Sequence, residues 1–255
     1  MTALSLAQSL RELRWPVTAE RHQQVALQAE REGLSFTQYL HALVELEVEG
    51  KRQRRVERLL KASNLPPDKT RATLQLERIA PKARRQIAKA FEGDFTERAE
   101  NLLLFGLPGR GKTHAACAIG HELVRSGRSV LFLPAYQLVQ RLLAAKRELR
   151  LEKVIGQLDS MDAVIVDDIG YVQQDRSEME VLFTFLAERY ERRSVVITSN
   201  LVFSQWERIF HDPMTTAAAI DRLVHHATII EMLGDSLRAG EAAARQASES
   251  GAVTP

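Results

Sequence analysis

Residues 106–113 read Gly106-Leu107-Pro108-Gly109-Arg110-Gly111-Lys112-Thr113, a complete G-x-x-x-x-G-K-T pattern. The chemistry fixes its residue types. Glycine at 106 and 111 opens backbone dihedrals closed to other residues, so successive N–H groups can point into one concavity. A polyphosphate fits there, at the N-terminus of the next helix, where orphan N–H groups and the helix dipole favour negative charge. Lys112 is placed to reach the β- and γ-phosphates, and Thr113 to offer its hydroxyl to Mg²⁺. The expected nucleotide contacts are Gly106, Pro108, Gly109, Arg110, Gly111, Lys112, Thr113 and His114, with ATP and Mg²⁺ as cofactors.

The flanks agree with the loop. Leu102-Leu103-Leu104-Phe105 is a short apolar run that reads as a buried strand. From Lys112 to Val124, Ala115, Ala116, Ile119 and Leu123 recur on one helical face. Strand, glycine loop, helix is the arrangement the motif requires.

A second motif completes the site. Ala163-Val164-Ile165-Val166-Asp167-Asp168 is an apolar run ending in two carboxylates. An all-apolar strand fits the middle of a parallel sheet, and ligands bind at the C-terminal ends of such strands. Asp167 is assigned to the Mg²⁺ shell, and Asp168 to polarising the attacking water. Ser194-Val195-Val196-Ile197-Thr198 is a further buried strand, and Asn200 just beyond it is the expected sensor of the γ-phosphate.

A 255-residue chain with 45% hydrophobic and 27% charged residues suits one or two ordinary globular domains. No apolar run approaches membrane-spanning length, and the N-terminus lacks a signal-peptide pattern. One cysteine, Cys117, forbids an internal disulfide and fits a cytoplasmic location, with Cys117 as a packing residue. His225 and His226 are adjacent and expected to face different ways, so no metal-ligand role is expected of them. Net charge is only +2, yet residues 51–89 carry 13 Lys and Arg against 3 Asp and Glu, a local excess of +10. Such a stretch points to a polyanionic partner.

Residues 1–64 read as a small all-helical domain. Segments 17–32 and 35–60 are helical; Gly33 ends the first, and Ser35 with Gln38 forms a capping box for the second. Lys51, Arg54, Arg55, Arg58 and Lys61 share one helical face, a candidate surface for DNA phosphates. Leu65-Pro66-Pro67-Asp68 is the expected domain boundary. It opens a basic linker, 65–94, carrying Lys82, Arg84, Arg85 and Lys89. From 95 to 238 strands alternate with helices, at 101–105, 129–133, 162–167, 194–198 and 227–232, which implies a parallel α/β sheet. Lys146, Arg147, Arg150 and Lys153 after the second strand are further DNA-contact candidates. The Ala-, Ser- and Glu-rich tail, 239–255, is expected to be disordered.

Together, the phosphate loop, the Asp-Asp strand end and the Thr-Ser-Asn strand end resemble the AAA+ ATPases. The likeness goes further. Gly111-Lys112-Thr113-His114, Asp167-Asp168-Ile169-Gly170-Tyr171, Arg189-Tyr190-Glu191-Arg192-Arg193-Ser194, Ile197-Thr198-Ser199-Asn200-Leu201, Phe203-Ser204-Gln205-Trp206 and Asp221-Arg222-Leu223-Val224-His225-His226 resemble the IstB family of insertion-sequence ATPases, relatives of the DnaC helicase loaders. The resemblance implies an AAA+ parallel sheet flanked by helices, preceded by the helical domain, with no C-terminal lid domain. It implies a protein that binds ATP and duplex DNA, forms a homo-oligomer on that DNA, deforms it, and presents it to a cognate transposase. Arg222 falls where such ATPases place the arginine finger that acts on a neighbouring subunit, with Arg193 as its substitute. Arg238 falls at a sensor position in contact with the nucleotide, although Leu237 stands where relatives have Tyr. A replicative helicase loader is the alternative within the same fold.

Overall fold

The computed structural model describes residues 5–171, 175–206, 209 and 212–233. The chain divides into two compact units, Met1–Arg58 and Leu59–Pro255.

The first unit holds α1 (Leu6–Glu12), α2 (Pro16–Glu32) and most of α3 (Phe36–Ala62). Local chemistry marks each boundary. Ser5 with Gln8 and Ser35 with Gln38 form reciprocal caps, and Pro16 occupies the first turn of α2, where its missing N–H costs nothing. Gly33 ends α2 in the left-handed conformation, φ 63°. The interior is small: Ala19, Ala29 and Leu43 are buried together with two polar residues, Thr18 and Glu47. Glu47 accepts hydrogen bonds from the Thr18 backbone N–H (3.0 Å) and from Arg54 (3.0 Å). Burial pushes this carboxyl up, but those two partners outweigh it and hold the group below the usual carboxylate range.

The second unit is built on five parallel strands in the order β2-β3-β4-β1-β5. They are β1 (Asn101–Phe105), β2 (Val130–Pro134), β3 (Ala163–Asp167), β4 (Ser194–Ser199) and β5 (Ala227–Glu231). Every residue of β1 and β4 is buried, as helix-covered parallel strands require. The helices are α4 (Pro81–Ala90), α5 (Asp94–Glu97), α6 (Lys112–Arg125), α7 (Ala135–Arg147), α8 (Leu151–Asp159), α9 (Arg176–Arg189) and α10 (Pro213–Val224). One core joins Leu103 and Phe105 of β1 to Leu138 and Leu142 of α7, Phe185 of α9, Trp206 and Leu223. The strand order positions the site: β4 lies between β1 and β3, so the end of β4 sits between the glycine loop and the two carboxylates.

The stretch expected to be a basic linker is packed into this unit. Leu65, Leu74, Ile79, Ala83, Ile87 and Ala90 are buried. The Ser63 carbonyl accepts from the Phe132 N–H of β2 (2.7 Å), and Pro66 O lies 2.9 Å from His121 Nε2 on α6. An added Cβ on Gly120 would come within 2.9 Å of Leu65 and 2.8 Å of Ile165, so glycine lets this segment approach α6. Among the described residues, β5 is followed only by Met232 and Leu233, with no lid domain. The expectations for the tail and for Arg238 fall outside the described residues.

Candidate nucleotide site

The glycine loop joins the end of β1 to α6. Gly109 and Gly111 have φ 80°, a region that favours glycine, and Gly111 is the N-cap of α6. Lys112 is 5% exposed and donates to the carbonyls of Gly106 (2.7 Å) and Leu107 (3.1 Å), so its ammonium braces the loop. Pro108 is exposed at the tip, and one buried guanidinium nitrogen of Arg110, Nη1, has no hydrogen-bond partner. His114 Nε2 lies 3.1 Å from Thr73 Oγ1 and 3.2 Å from Thr70 O, which pins segment 70–73 to the loop.

A hydrogen-bonded chain links the loop to the carboxylates. Thr113 Oγ1 donates to Asp167 Oδ2 (3.2 Å), and Thr198 Oγ1 donates to Asp167 Oδ1 (2.6 Å). The backbone N–H of Asp168 donates back to Thr198 Oγ1 (2.9 Å). Both oxygens of Asp167 are thereby oriented, while Asp168 turns away from the strand at φ 57°. A hydroxyl and a carboxylate side by side form a hard-oxygen pair that suits Mg²⁺. Asn200 Oδ1 is buried without a hydrogen-bond partner, an acceptor held in reserve at the strand ends. A Cβ on Gly170 would collide with that same oxygen, so glycine leaves Asn200 its position.

The structure brings together Lys112, Thr113, Asp167, Asp168 and Asn200. It does not bring Arg222 or Arg193 to them. Arg222 lies in the last turn of α10, over the Phe183 ring (5.0 Å), and donates to Ala218 O (3.2 Å). Its neighbour Leu223 accepts from Asn101 Nδ2 (3.1 Å) at the first residue of β1, which fixes Arg222 at the amino-terminal edge of the sheet, opposite the glycine loop. Arg193 precedes β4 on the same edge and pairs with Asp162 (3.1 Å).

Three residues without an expected role organise the two edges of the sheet. Thr198 belongs to the Thr-Ser-Asn strand end but has no assigned role in the sequence, yet it ties Asp167 to Asp168. Arg189 is 1% exposed and donates to the carbonyls of Leu158 (2.6 Å), Met161 (3.1 Å) and Ser194 (2.8 Å). Desolvation pushes its guanidinium down to about 10, against the pull of Asp159. Asn101 joins the amino-terminal edge, accepting from Val195 N–H (2.9 Å) while donating to Leu223. Asn101 at the head of an apolar run is the signal the sequence offers for it, whereas Arg189 is hidden among the charges of residues 188–193. Cys117 is fully buried, and burial pushes its thiol up to about 12, as a packing role requires.

Among the basic candidates, Lys51, Arg54, Arg55, Arg58 and Lys61 are exposed on α3, and Lys82, Arg84, Arg85 and Lys89 on α4. Arg54 is partly committed to Glu47, and Lys51 lies 5.8 Å from the Trp15 ring. Lys146 pairs with Glu180 (2.8 Å) and Arg150 with Glu148, whereas Arg147 and Lys153 are exposed.

The sheet order, the glycine loop and the paired aspartates define an ATPase of the AAA+ class. Solved structures agree on the fold: the DnaC helicase loader superposes with a TM-score of 0.51 at 19% identity, over 59% of this chain and 88% of that one. The replication initiator DnaA bound to AMPPCP and single-stranded DNA gives 0.57 at 16% identity, over 68% of this chain and 52% of that one. The family model of IstB-like ATP binding proteins matches residues 8–245, and the chain belongs to that family. A protein of Sinorhizobium fredii described as an insertion sequence ATP-binding protein is 44% identical over 90% of this chain and 77% of its own length. An IS21 ATP-binding protein of Pseudomonas aeruginosa is 38% identical, covering 84% and 81%. No helix among the described residues is long and apolar enough to cross a membrane.

Proposed function

We propose that this chain is an ATP-dependent DNA-binding regulator of transposition, which assembles on duplex target DNA as a homo-oligomer and recruits or stimulates a transposase. The tie to transposition comes from the relatives, described as insertion-sequence ATP-binding proteins. The placement of Arg222 supports the second copy: it stands at the sheet edge opposite its own glycine loop, so an arginine finger there would act on another chain's triphosphate.

In this reading Lys112 leaves the Gly106 and Leu107 carbonyls and pairs with the β- and γ-phosphates. Thr113 and Asp167 hold Mg²⁺, which neutralises phosphate charge when bound. Asp168 orients and polarises the attacking water, and Asn200 Oδ1 accepts from that water. Arg222 of the adjacent copy places positive charge where negative charge grows on the γ-phosphate. The exposed basic faces of α3 and α4 supply nonspecific phosphate contacts. Co-sedimentation of the full chain with duplex DNA and the transposase of the same element tests the reading. ATP is expected to support the ternary complex and ADP to weaken it; equal recovery with both nucleotides contradicts it. Retention of replicative helicase in place of transposase would establish the loader alternative.

A further inference from the structure

The adjacent histidines do not diverge as expected. His225 is the C-cap of α10 and His226 the first residue beyond it, so the chain leaves the helix between them. Their rings come within 4.1 Å, centroid to centroid, and both face Glu191. His226 Nε2 lies 3.4 Å from Glu191 Oε1, and His225 Nδ1 lies 3.8 Å from the same oxygen. One ligand atom from each residue falls within 4.8 Å of the others. Metal–ligand bonds of about 2.0–2.2 Å in tetrahedral geometry place ligand atoms roughly 3.4 Å apart. One pair already meets that spacing, and half-exposed rings need only small rotations to bring in the third.

Both turns that carry these side chains are anchored. Glu191 sits at φ 57°, in a turn closed by the Arg192 and Arg193 N–H groups on Arg189 O (3.0 and 3.1 Å). The buried Arg189 side chain ties that turn to Leu158 of α8, to Met161 after it and to Ser194 at the start of β4 through their carbonyls. On the other side, the His226 carbonyl accepts from Asn101 N–H (2.7 Å) at the start of β1. Tyr190 OH lies 2.5 Å from His225 Nδ1 and its ring stacks on the imidazole, which orients it. The side chains of His225, His226 and Glu191 are 53%, 51% and 54% exposed, so an ion reaches them without opening the fold.

We propose that Glu191, His225 and His226 form a binding site for one divalent transition ion of the zinc class, at the amino-terminal edge of the sheet. Two imidazoles and one carboxylate are borderline ligands that prefer Zn²⁺, Co²⁺ or Ni²⁺ to Mg²⁺, with a fourth position left to water. The site is separate from the Thr113–Asp167 pair at the other strand ends, whose oxygens suit the harder ion. When the ion enters through Nδ1 of His225, the Tyr190 hydroxyl yields its contact; when it enters through Nε2, the hydroxyl stays and steadies the ring.

The test is a titration of the full, untagged chain with Zn²⁺ in excess Mg²⁺, read by calorimetry, alongside Co²⁺ read by its visible absorption. One saturable site per chain is expected, with a visible band typical of a low-coordinate Co²⁺ ion. His226→Gln and Glu191→Gln are each expected to weaken binding at least about 10-fold. Both residues are exposed, and an unchanged thermal melt would show the fold intact. Absence of a one-per-chain site, or wild-type affinity in either variant, overturns the proposal.

Discussion

Lys112 donates to two loop carbonyls, which the proposed reading has a triphosphate replace. Lys112→Ala is therefore expected to abolish nucleotide-dependent behaviour and to lower ATP hydrolysis about 100-fold or more, measured by phosphate release. Asp168→Asn should act differently. It keeps the backbone N–H that bonds Thr198, so the site stays assembled and ATP still binds. Turnover is expected to fall by about 10²–10⁴, with wild-type affinity in a filter-binding assay. The convergence of Lys112, Thr113 and Asp167 at the strand ends is legible in sequence, because phosphate chemistry fixes the residue types and spacing of such a loop. That of Thr198 is not, since its contact with Asp167 spans 31 residues and exists only because β4 lies beside β3.

At the level of elements, apolar runs mark all five strands, interrupted by a polar residue only in β5 at Thr228, and the observed ends differ from the expected ones by a residue at most. The helix boundaries at Gly33 and Ser35 are equally plain, because each rests on local chemistry. Segment 65–94 resembles a linker because its charges are conspicuous, while the buried stripe of Ala83, Ile87 and Ala90 on α4 is small in volume. The two histidines defy the sequence reading because helical divergence of neighbours stops at the helix end. In the first unit, Glu47 holds α3 to the start of α2. Glu47→Ala leaves the Thr18 N–H buried and unpaired, a cost of about 1–3 kcal/mol that denaturant titration of the chain should detect. Because the folded carboxyl lies below its ordinary value of 4.5, its contribution is full above that pH and is lost as pH falls through the depressed folded value. The pH dependence of unfolding should flatten at the acid end in Glu47→Gln.

For the whole molecule, duplex affinity should fall steeply with salt if the basic faces carry it. Reversing Arg55 and Arg58 is expected to reduce the log–log slope by about 0.9 for each phosphate no longer neutralised, without altering base preference. Arg222→Ala is expected to slow hydrolysis about 10³-fold or more, and the defect should be repaired by another chain. Mixing Arg222→Ala with Lys112→Ala pairs an intact pocket with an intact arginine, so activity should return above that of either variant alone. A defect confined to each chain would instead give no recovery.

The most direct test is electron microscopy of the full chain on linear duplex DNA with ATP, with ADP and without nucleotide. Ordered multi-subunit particles on the duplex are expected with ATP, dispersing when ATP is exchanged for ADP. Indistinguishable particles in all three states would contradict triphosphate control of assembly.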